Sequence, residues 1–228
     1  MFGGHVISAI IPAWCEAAEI GEAVTAARTV ADEVIVADAD SPDGTGAFAR
    51  AAGARTVSGA RGRGARLVAG AGAARGEVLL FLHADARLPI SARAAIDDAL
   101  RDPSIGGGNF KLRFAPVNRW ARVFAYVNHE RRRLLRIYYG DSGLFVRRSV
   151  YDQLGGFRAL PIMEDYDLVC RLERATRTAY ITDVEIVASS RRFSERPVRT
   201  LAIWAAIQTL ASAGVAPERL ARLYADIR

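Results

Sequence analysis

The chain has 228 residues and a mass of 24.7 kDa, with 51% hydrophobic and 25% charged residues. That balance lets one ordinary domain bury a substantial core and excludes disorder, collagen and a coiled coil. The formal charge of +6 and pI near 9.8 rest on arginine, since Lys111 is the single lysine; they suit an anionic partner without choosing among nucleic acid, a phospholipid surface and a phosphorylated small molecule.

In chain order, the apolar run from Val6 to Ile11 stops at Pro12 and follows no Lys/Arg cluster, so it reads as a strand and not as a signal peptide. Glu16 to Val30 has helical spacing. Glu33 to Ala37 and Glu77 to Leu82 are further apolar runs of strand length, the pattern of parallel strands buried on both faces. Thr45 to Ala52 and Arg63 to Ala74 read as helices, the second weakened by Gly64, Gly70 and Gly72. This β-α-β-α-β order predicts an α/β sheet with right-handed crossovers.

Farther on, Ser91 to Leu100 reads as a helix capped by Ser91, and Gly106, Gly107 and Gly108 lead into an alternating strand at Asn109 to Phe114. Residues 119 to 137 form an amphipathic helix. Trp120, Val123, Phe124, Val127, Leu134 and Leu135 share its apolar face, while Arg119, Arg122, Arg132, Arg133 and Arg136 lie elsewhere. Arg131 falls inside the apolar stripe and is expected to snorkel to water. A strand at Leu144 to Val146, a helix over about Glu164 to Arg174, a strand at Ala179 to Val187 and a helix from about Val198 complete the pattern.

Leu201 to Ala216 contains Gln208 and falls short of the roughly 20 apolar residues of a bilayer span. Two cysteines, Cys15 and Cys170, build neither a disulfide framework nor a four-cysteine zinc site, which suits a reducing compartment. A cytoplasmic protein is expected, with contact at a membrane surface left open. No long linker or repeat divides the chain, so residues 1–228 are expected to form one domain.

Carboxylates gather where the strands end. The second strand runs into Asp38, Asp40 and Asp43 (VADADSPDGT) and the third into His83 and Asp85 (FLHADA). Open α/β sheets bind ligands at the carboxyl ends of their strands. Side chains two apart on an extended segment face one way, pairing Asp38 with Asp40 and His83 with Asp85. Such pairs hold a hard divalent cation or hydrogen-bond a ribose; Asp, Ser, Pro and Gly also serve plain turns. Magnesium or manganese prefers Asp85 to His83, because these ions favour oxygen.

Glu164 and Asp165, at a helix start, gain from the helix dipole; the apolar PIM stretch before them also suits a desolvated general base. No GxGxxG follows the first strand, and GxxxxGK[ST] and GxSxG are absent, which removes the best support for dinucleotide, P-loop and serine-hydrolase readings. The segment SGARGRGARLVAGAG has glycines and Arg61, Arg63 and Arg66 with which to cradle phosphate, or glycines that merely ease a loop into a helix.

Taken together, ISAIIPAWCEAAEI, EVIVADADSPDGT, GEVLLFLHADARLP and YGDSGLFVRRSVYDQLGGFRALPIMEDYDLVCRLERA resemble, in order, the motifs of family 2 glycosyltransferases of the GT-A fold. The likeness covers roughly residues 6 to 195. A small soluble subgroup shares the Phe-Leu-His-Ala-Asp strand and a late Ser-x-Arg-Arg-aromatic motif; some of its members carry arsenosugar-biosynthesis or radical-SAM-associated labels. Cys15 stands where the family usually has Asn, Arg66 and Val68 where Gln and Asn are frequent, and Ser142 in place of Gln.

The resemblance implies an α/β GT-A fold with a mainly parallel central sheet, residues 1–88 as the nucleotide-binding half and 89–228 as the acceptor half. It implies an inverting, metal-dependent enzyme that moves a sugar from a nucleotide-diphosphate donor to a small-molecule or lipid acceptor. Pro12, Ala13, Glu16, Asp38, Asp40, Arg63 and Ala84 would bind the nucleotide. Asp85, flanked by His83, would hold Mg2+ or Mn2+, and Arg191 and Arg192 would meet the diphosphate. Asp165 would act as base beside Glu164, with Asp141 toward the acceptor. A nucleotidyltransferase lacks its glycine-rich basic loop here, because Pro12, Ala13 and Trp14 follow the first strand. A non-catalytic anion-binding protein working through the 119 to 136 helix is the other alternative; no aromatic-rich nucleic-acid motif accompanies those arginines.

Overall fold

In the computed structural model, which describes residues 4–224 with the side chain of Arg192 excepted, the first apolar run forms β1 (Ile7–Ala13). It lies between β2 (Glu33–Asp38) and β4 (Val78–Phe81), parallel to both, and β3 (Arg55–Ser58) joins β2 in parallel. The connections are α1 (Ile20–Arg28), α2 (Thr45–Ala51) and α3 (Arg63–Ala73). Alternate residues of a strand face opposite ways, and here both faces are covered. Ile7, Ile11, Val34 and Val36 pack with Ile20 and Val24 of α1, whereas Ile10, Ile35 and Leu79 pack with Leu67 of α3. The strand β3 carries no apolar run and escapes the sequence pattern because both its ends are exposed.

The chain continues through β5 (Ala86–Arg87), α4 (Ser91–Ala99), β6 (Ile105–Ala115), α5 (Arg119–Leu135), a single 3-10 turn at Gly140–Ser142, β7 (Leu144–Arg147) and α6 (Arg148–Gln153). Then come α7 (Glu164–Ala175), β8 (Arg177–Ser189), α8 (Arg191–Ser194), α9 (Pro197–Ser212) and α10 (Pro217–Tyr224). Among the described residues the sheet order is β3-β2-β1-β4-β7-β6-β8-β5. Antiparallel β7 separates the parallel β1–β4 part from the parallel pair β6 and β8, and β5 closes the far edge against β8. The α/β architecture expected from the sequence is therefore present. No helix among the described residues is long and apolar enough to cross a membrane.

Local chemistry moves several boundaries. The first helix begins at Ile20 and not at Glu16, because Cys15 is left-handed at φ 54° and the next N–H groups bond elsewhere. Cys15 N–H donates to Ser41 Oγ (3.0 Å), Glu16 N–H to Thr45 Oγ1 (2.9 Å) and Ala17 N–H to Asp43 Oδ2 (3.0 Å). The acidic turn after β2 thus captures the turn after β1. Ser91 is the first residue of α4 and not its cap; Ile90 precedes it, and no side chain caps that end. In α3, a Cβ at Gly64 would lie 2.9 Å from the Arg158 carbonyl oxygen and 3.0 Å from that of Leu160. The glycine lets the start of α3 approach this backbone closely, at the cost in helix propensity visible in the sequence.

The amphipathic reading of α5 needs correction at its C-terminal end. Arg132, expected away from the apolar face, is buried, while Leu134 and Leu135 are 64% and 65% exposed. Arg132 pairs with Glu173 (3.2 Å), donates to Asn109 Oδ1 (2.7 Å) and Thr178 Oγ1 (2.9 Å), and lies 4.3 Å from the Tyr138 ring centroid. These partners replace its water, so a cation and not a leucine takes the inward position. The helix then stops at Arg136, left-handed at φ 55°. Truncating one member of a buried pair leaves the other uncompensated and costs about 3–5 kcal/mol. Urea denaturation of Arg132→Ala is expected to register a loss of that size, whereas Arg133→Ala, at an exposed position, shifts stability by no more than about 0.5 kcal/mol.

Candidate active site

The start of α7 carries two buried carboxylates, Glu164 (2% exposed) and Asp165 (5% exposed). The preceding Met163 is left-handed at φ 64°, an uncommon conformation for a side chain of this size. The free N–H groups and dipole of a helix N-terminus favour negative charge. Asp165 Oδ1 accepts from Tyr166 N–H (2.8 Å) and Oδ2 from Gly140 N–H (2.9 Å). Burial pushes the Glu164 carboxyl above its ordinary range, the Arg63 charge opposes that rise, and the neighbouring Asp165 charge adds to it.

Arg63, the first residue of α3, reaches into this pair. Its Nη1 is 3.0 Å from Glu164 Oε1, its Nη2 3.2 Å from Asp165 Oδ2, and the same Nη2 is 2.6 Å from His83 Nε2. A guanidinium has no acceptor. His83 Nε2 therefore accepts, and the neutral ring carries its proton on Nδ1, which faces Asp85 Oδ1 at 4.0 Å. A Cβ at Gly140 would sit 2.5 Å from Arg63 Nη2, so any larger residue there would have to displace that guanidinium. The turn that holds Gly140 is tied down through Ser142, whose hydroxyl donates to the Tyr139 carbonyl (2.6 Å) and accepts from Asn109 Nδ2 (3.2 Å). Asn109 in turn accepts from Arg132.

Two cavities meet at Arg63 and His83. The first, about 670 Å³, opens at the carboxyl ends of β1 and β4 and is bounded by Pro12, Glu16, Ala84, Asp85 and Arg191. The second, about 610 Å³, contains Asp141, Glu164 and Asp165. Trp14, Arg66, Trp204 and Tyr224 also belong to both walls. Other expected residues stand apart from these walls. Ala13 is buried in the core, and Asp38 accepts from the Ser41 hydroxyl (2.5 Å). Asp40, left-handed at φ 57°, accepts from Ser58 Oγ (3.4 Å). Arg191, on the wall of the first cavity, is also paired with Glu19 (3.4 Å), and the side chain of Arg192 lies outside the described residues.

Sequence reasoning did not assign Trp14, Tyr139, Arg199 or Trp204, which line the cavities. Trp14 had a usable signal, a large aromatic directly after a strand that ends in Pro-Ala. Trp204 had none, because the polar residues of α9 are spread around the helix and leave no preferred face.

Among the described residues no three His, Cys, Asp or Glu side chains converge as a metal cage. The Asp85 carboxylate at the end of β4 nevertheless fits a magnesium-type ion. Such ions keep several waters and bind through one or two carboxylates together with substrate phosphates. His83 suits that role less well while Arg63 holds its acceptor nitrogen.

Residues 8–159 match the family model "Glycosyl transferase family 2". The chain belongs to that family. No curated protein matches this glycosyltransferase. A mannosyltransferase from Pyrobaculum calidifontis, solved with GDP-Man and Mn2+, is 23% identical with a TM-score of 0.67, over 99% of this chain and 70% of the other. Glucosyl-3-phosphoglycerate synthase from Mycobacterium tuberculosis, solved with Mn2+, UDP and phosphoglyceric acid, is 21% identical with a TM-score of 0.65, over 93% and 80%. Mannosyl-3-phosphoglycerate synthase from Rubrobacter xylanophilus is 17% identical with a TM-score of 0.60, over 92% and 76%. At these identities the likeness is one of fold. Glu164 and Asp165 lie just beyond the residues that the family model matches.

The turn that holds Glu16 in the first cavity depends on an ionised group. Hydrogen bonds from Thr45, against weak desolvation, hold the Asp43 carboxyl below its ordinary value of 3.8. A depressed folded-state pKa contributes stability that is present above the unfolded value and is lost as pH falls through the folded one. Asp43→Asn is therefore expected to melt below the wild type at neutral pH. The gap should close as the pH drops below 3.8, which melting curves across that range would read.

Proposed function

We propose that this glycosyltransferase moves a sugar from a nucleotide-diphosphate donor to a hydroxyl-bearing small-molecule or lipid acceptor, with inversion at the anomeric carbon. The observation that carries this reading is the pair of cavities, one holding Asp85 and the other Asp165, joined at Arg63 and His83. Residues 1–88 act as the donor half and 89–228 as the acceptor half, although Arg191 and Arg199 from the latter also bound the donor cavity.

In this reading the donor nucleotide occupies the first cavity against Pro12, Glu16 and the Ala84 backbone. Asp38 and Asp40, at the end of β2, bind the nucleoside beside that cavity and also hold the turn at Ser41 and the end of β3. The acceptor hydroxyl lies beside Asp165, which takes its proton as the oxygen bonds to the anomeric carbon. The bond from that carbon to the diphosphate oxygen breaks at the same time, and the nucleoside diphosphate leaves with the electron pair. Arg191, with Arg192 beside it in the chain, meets the charge on the departing phosphates; the planar guanidinium suits phosphate oxygens. A divalent ion at Asp85, Mg2+ or Mn2+, would neutralise the same charge.

Glu164 holds the Arg63 guanidinium in register with Asp165, and His83 spaces that guanidinium from Asp85. Asp141, on the turn that presents Gly140 to Asp165, orients the acceptor side of the cavity. The likeness to the small soluble subgroup agrees with this reading and names no acceptor.

Asp165→Asn should lower sugar transfer by about 100-fold or more, the usual scale of a general base, while nucleoside diphosphate affinity stays within about twofold of wild type. Equal loss of both would make Asp165 structural. A thermal-shift series with UDP, GDP, CDP and TDP, with and without Mn2+, is expected to reveal one preferred nucleotide whose shift grows with the metal. Asp85→Asn should remove most of that metal increment; an unchanged increment would reject the metal assignment.

A further inference from the structure

The acceptor cavity contains a cation that has no part in the chemistry above. Arg131, expected to snorkel to water, instead lines this cavity. Its guanidinium carbon lies 4.3 Å from the Tyr139 ring centroid, its Nε donates to the Ile137 carbonyl (3.4 Å), and its Nη2 donates to Asn128 Oδ1. It forms no ion pair with a carboxylate among the described residues. By contrast, Arg63 in the same wall is committed to Glu164 and Asp165. A guanidinium stacked on an aromatic face and tied at two of its donors has already lost most of its rotamer freedom. Its remaining donors are thus pre-organised for an anion.

The wall is part charged, through Arg61, Arg63, Asp141, Glu164 and Asp165, and part apolar. Ile162, Met163, Trp204 and Ile207 line the cavity, with the Tyr139 ring under the guanidinium. Tyr139 is also the residue before Gly140, whose N–H donates to Asp165. One short segment therefore carries both the platform for the cation and a donor to the proposed base.

We infer that the acceptor is an amphiphilic anion: a hydroxyl compound whose carboxylate or phosphate group binds Arg131 and whose apolar body lies against Trp204 and Ile207. This rests on Asp165 marking the acceptor side, as in the function proposed above. It makes Arg131 the specificity-determining residue for the acceptor. A small, wholly polar acid would leave the apolar wall without a partner, and a neutral apolar alcohol would leave the cation without one.

The test uses the full chain and three simple probes: phenyl phosphate, benzyl alcohol and glycerol 2-phosphate. Two of the three tryptophans, Trp14 and Trp204, line both cavities, so intrinsic emission reports binding and its loss in Arg131→Gln assigns that binding to this cavity. Phenyl phosphate is expected to bind at least tenfold more tightly than either other probe. Arg131→Gln should weaken phenyl phosphate tenfold or more and leave unchanged the thermal shift given by nucleoside diphosphate with Mn2+. Equal binding of glycerol 2-phosphate would overturn the apolar requirement, and equal binding of benzyl alcohol the anionic one. No effect of Arg131→Gln, or no saturable binding of any probe, would overturn the site.

Phosphatidylcholine vesicles containing phosphatidic acid separate the two sources of such a ligand. Co-sedimentation that Arg131→Gln abolishes points to a lipid acceptor; a wild-type chain that stays in the supernatant while still binding phenyl phosphate points to a soluble one. If phenyl phosphate binds as expected and no nucleoside diphosphate does, the donor assignment fails and the cavity assignment stands.

Discussion

Two carboxylates side by side at one helix end repel each other, and burial takes away the water that would screen them. In this protein the guanidinium of Arg63 reaches across from α3 to both Glu164 and Asp165, and its Nη2 also meets His83. Much of the local architecture serves that reach. Gly64 lets the start of α3 lie close to the backbone at Arg158 and Leu160, and Gly140 leaves room for Nη2 itself. The buried chain from Arg132 through Asn109 and Ser142 to the Tyr139 carbonyl then fixes the turn that presents Gly140. A single cation thereby aligns the end of β4, the start of α3 and the start of α7.

The same cation stands between two cavities with different chemistry. On one side are the strand ends, with Asp85 and exposed arginine, as suits a charged and hydrated donor. The other adds isoleucine, methionine and Tyr139 around two buried carboxylates and a stacked arginine, while Trp14, Trp204 and Tyr224 are shared by both. Arg63 touches the proposed base of one and the histidine beside the proposed metal ligand of the other, so one side chain contacts both cavities.

Helix α5 illustrates how burial decides what a pattern leaves open. Its sequence offers an apolar stripe interrupted by Arg131 and followed by Leu134 and Leu135. Solvation alone favours leucines inside and arginines outside. The partners available in three dimensions reverse that order at two positions: Glu173, Thr178 and Asn109 satisfy Arg132 inside, and the Tyr139 face holds Arg131 at the cavity wall. Glu173 and Thr178 are distant from α5 in sequence, and Tyr139 follows it by one turn of chain.

Much was legible from the chain alone. Apolar runs of strand length separated by helical spacing determined the parallel β1, β2 and β4 arrangement, because strands covered on both faces must be apolar throughout. Acids just past those runs marked the carboxyl ends of the sheet, and Glu164 and Asp165 marked the opposite wall. The sequence could not reveal that Asp38 accepts from Ser41 and Asp40 from Ser58, since a turn aspartate and a ligand-binding one look alike until their hydrogen-bond partners are known. Nor could it assign Trp204, which lies on a helix without a distinct apolar face, or join Arg63 to acids 101 and 102 positions away in the chain. Local pattern decides which segments form strands and helices; the close approach of distant segments decides which charges share one dehydrated space, and only the tertiary structure contains that information.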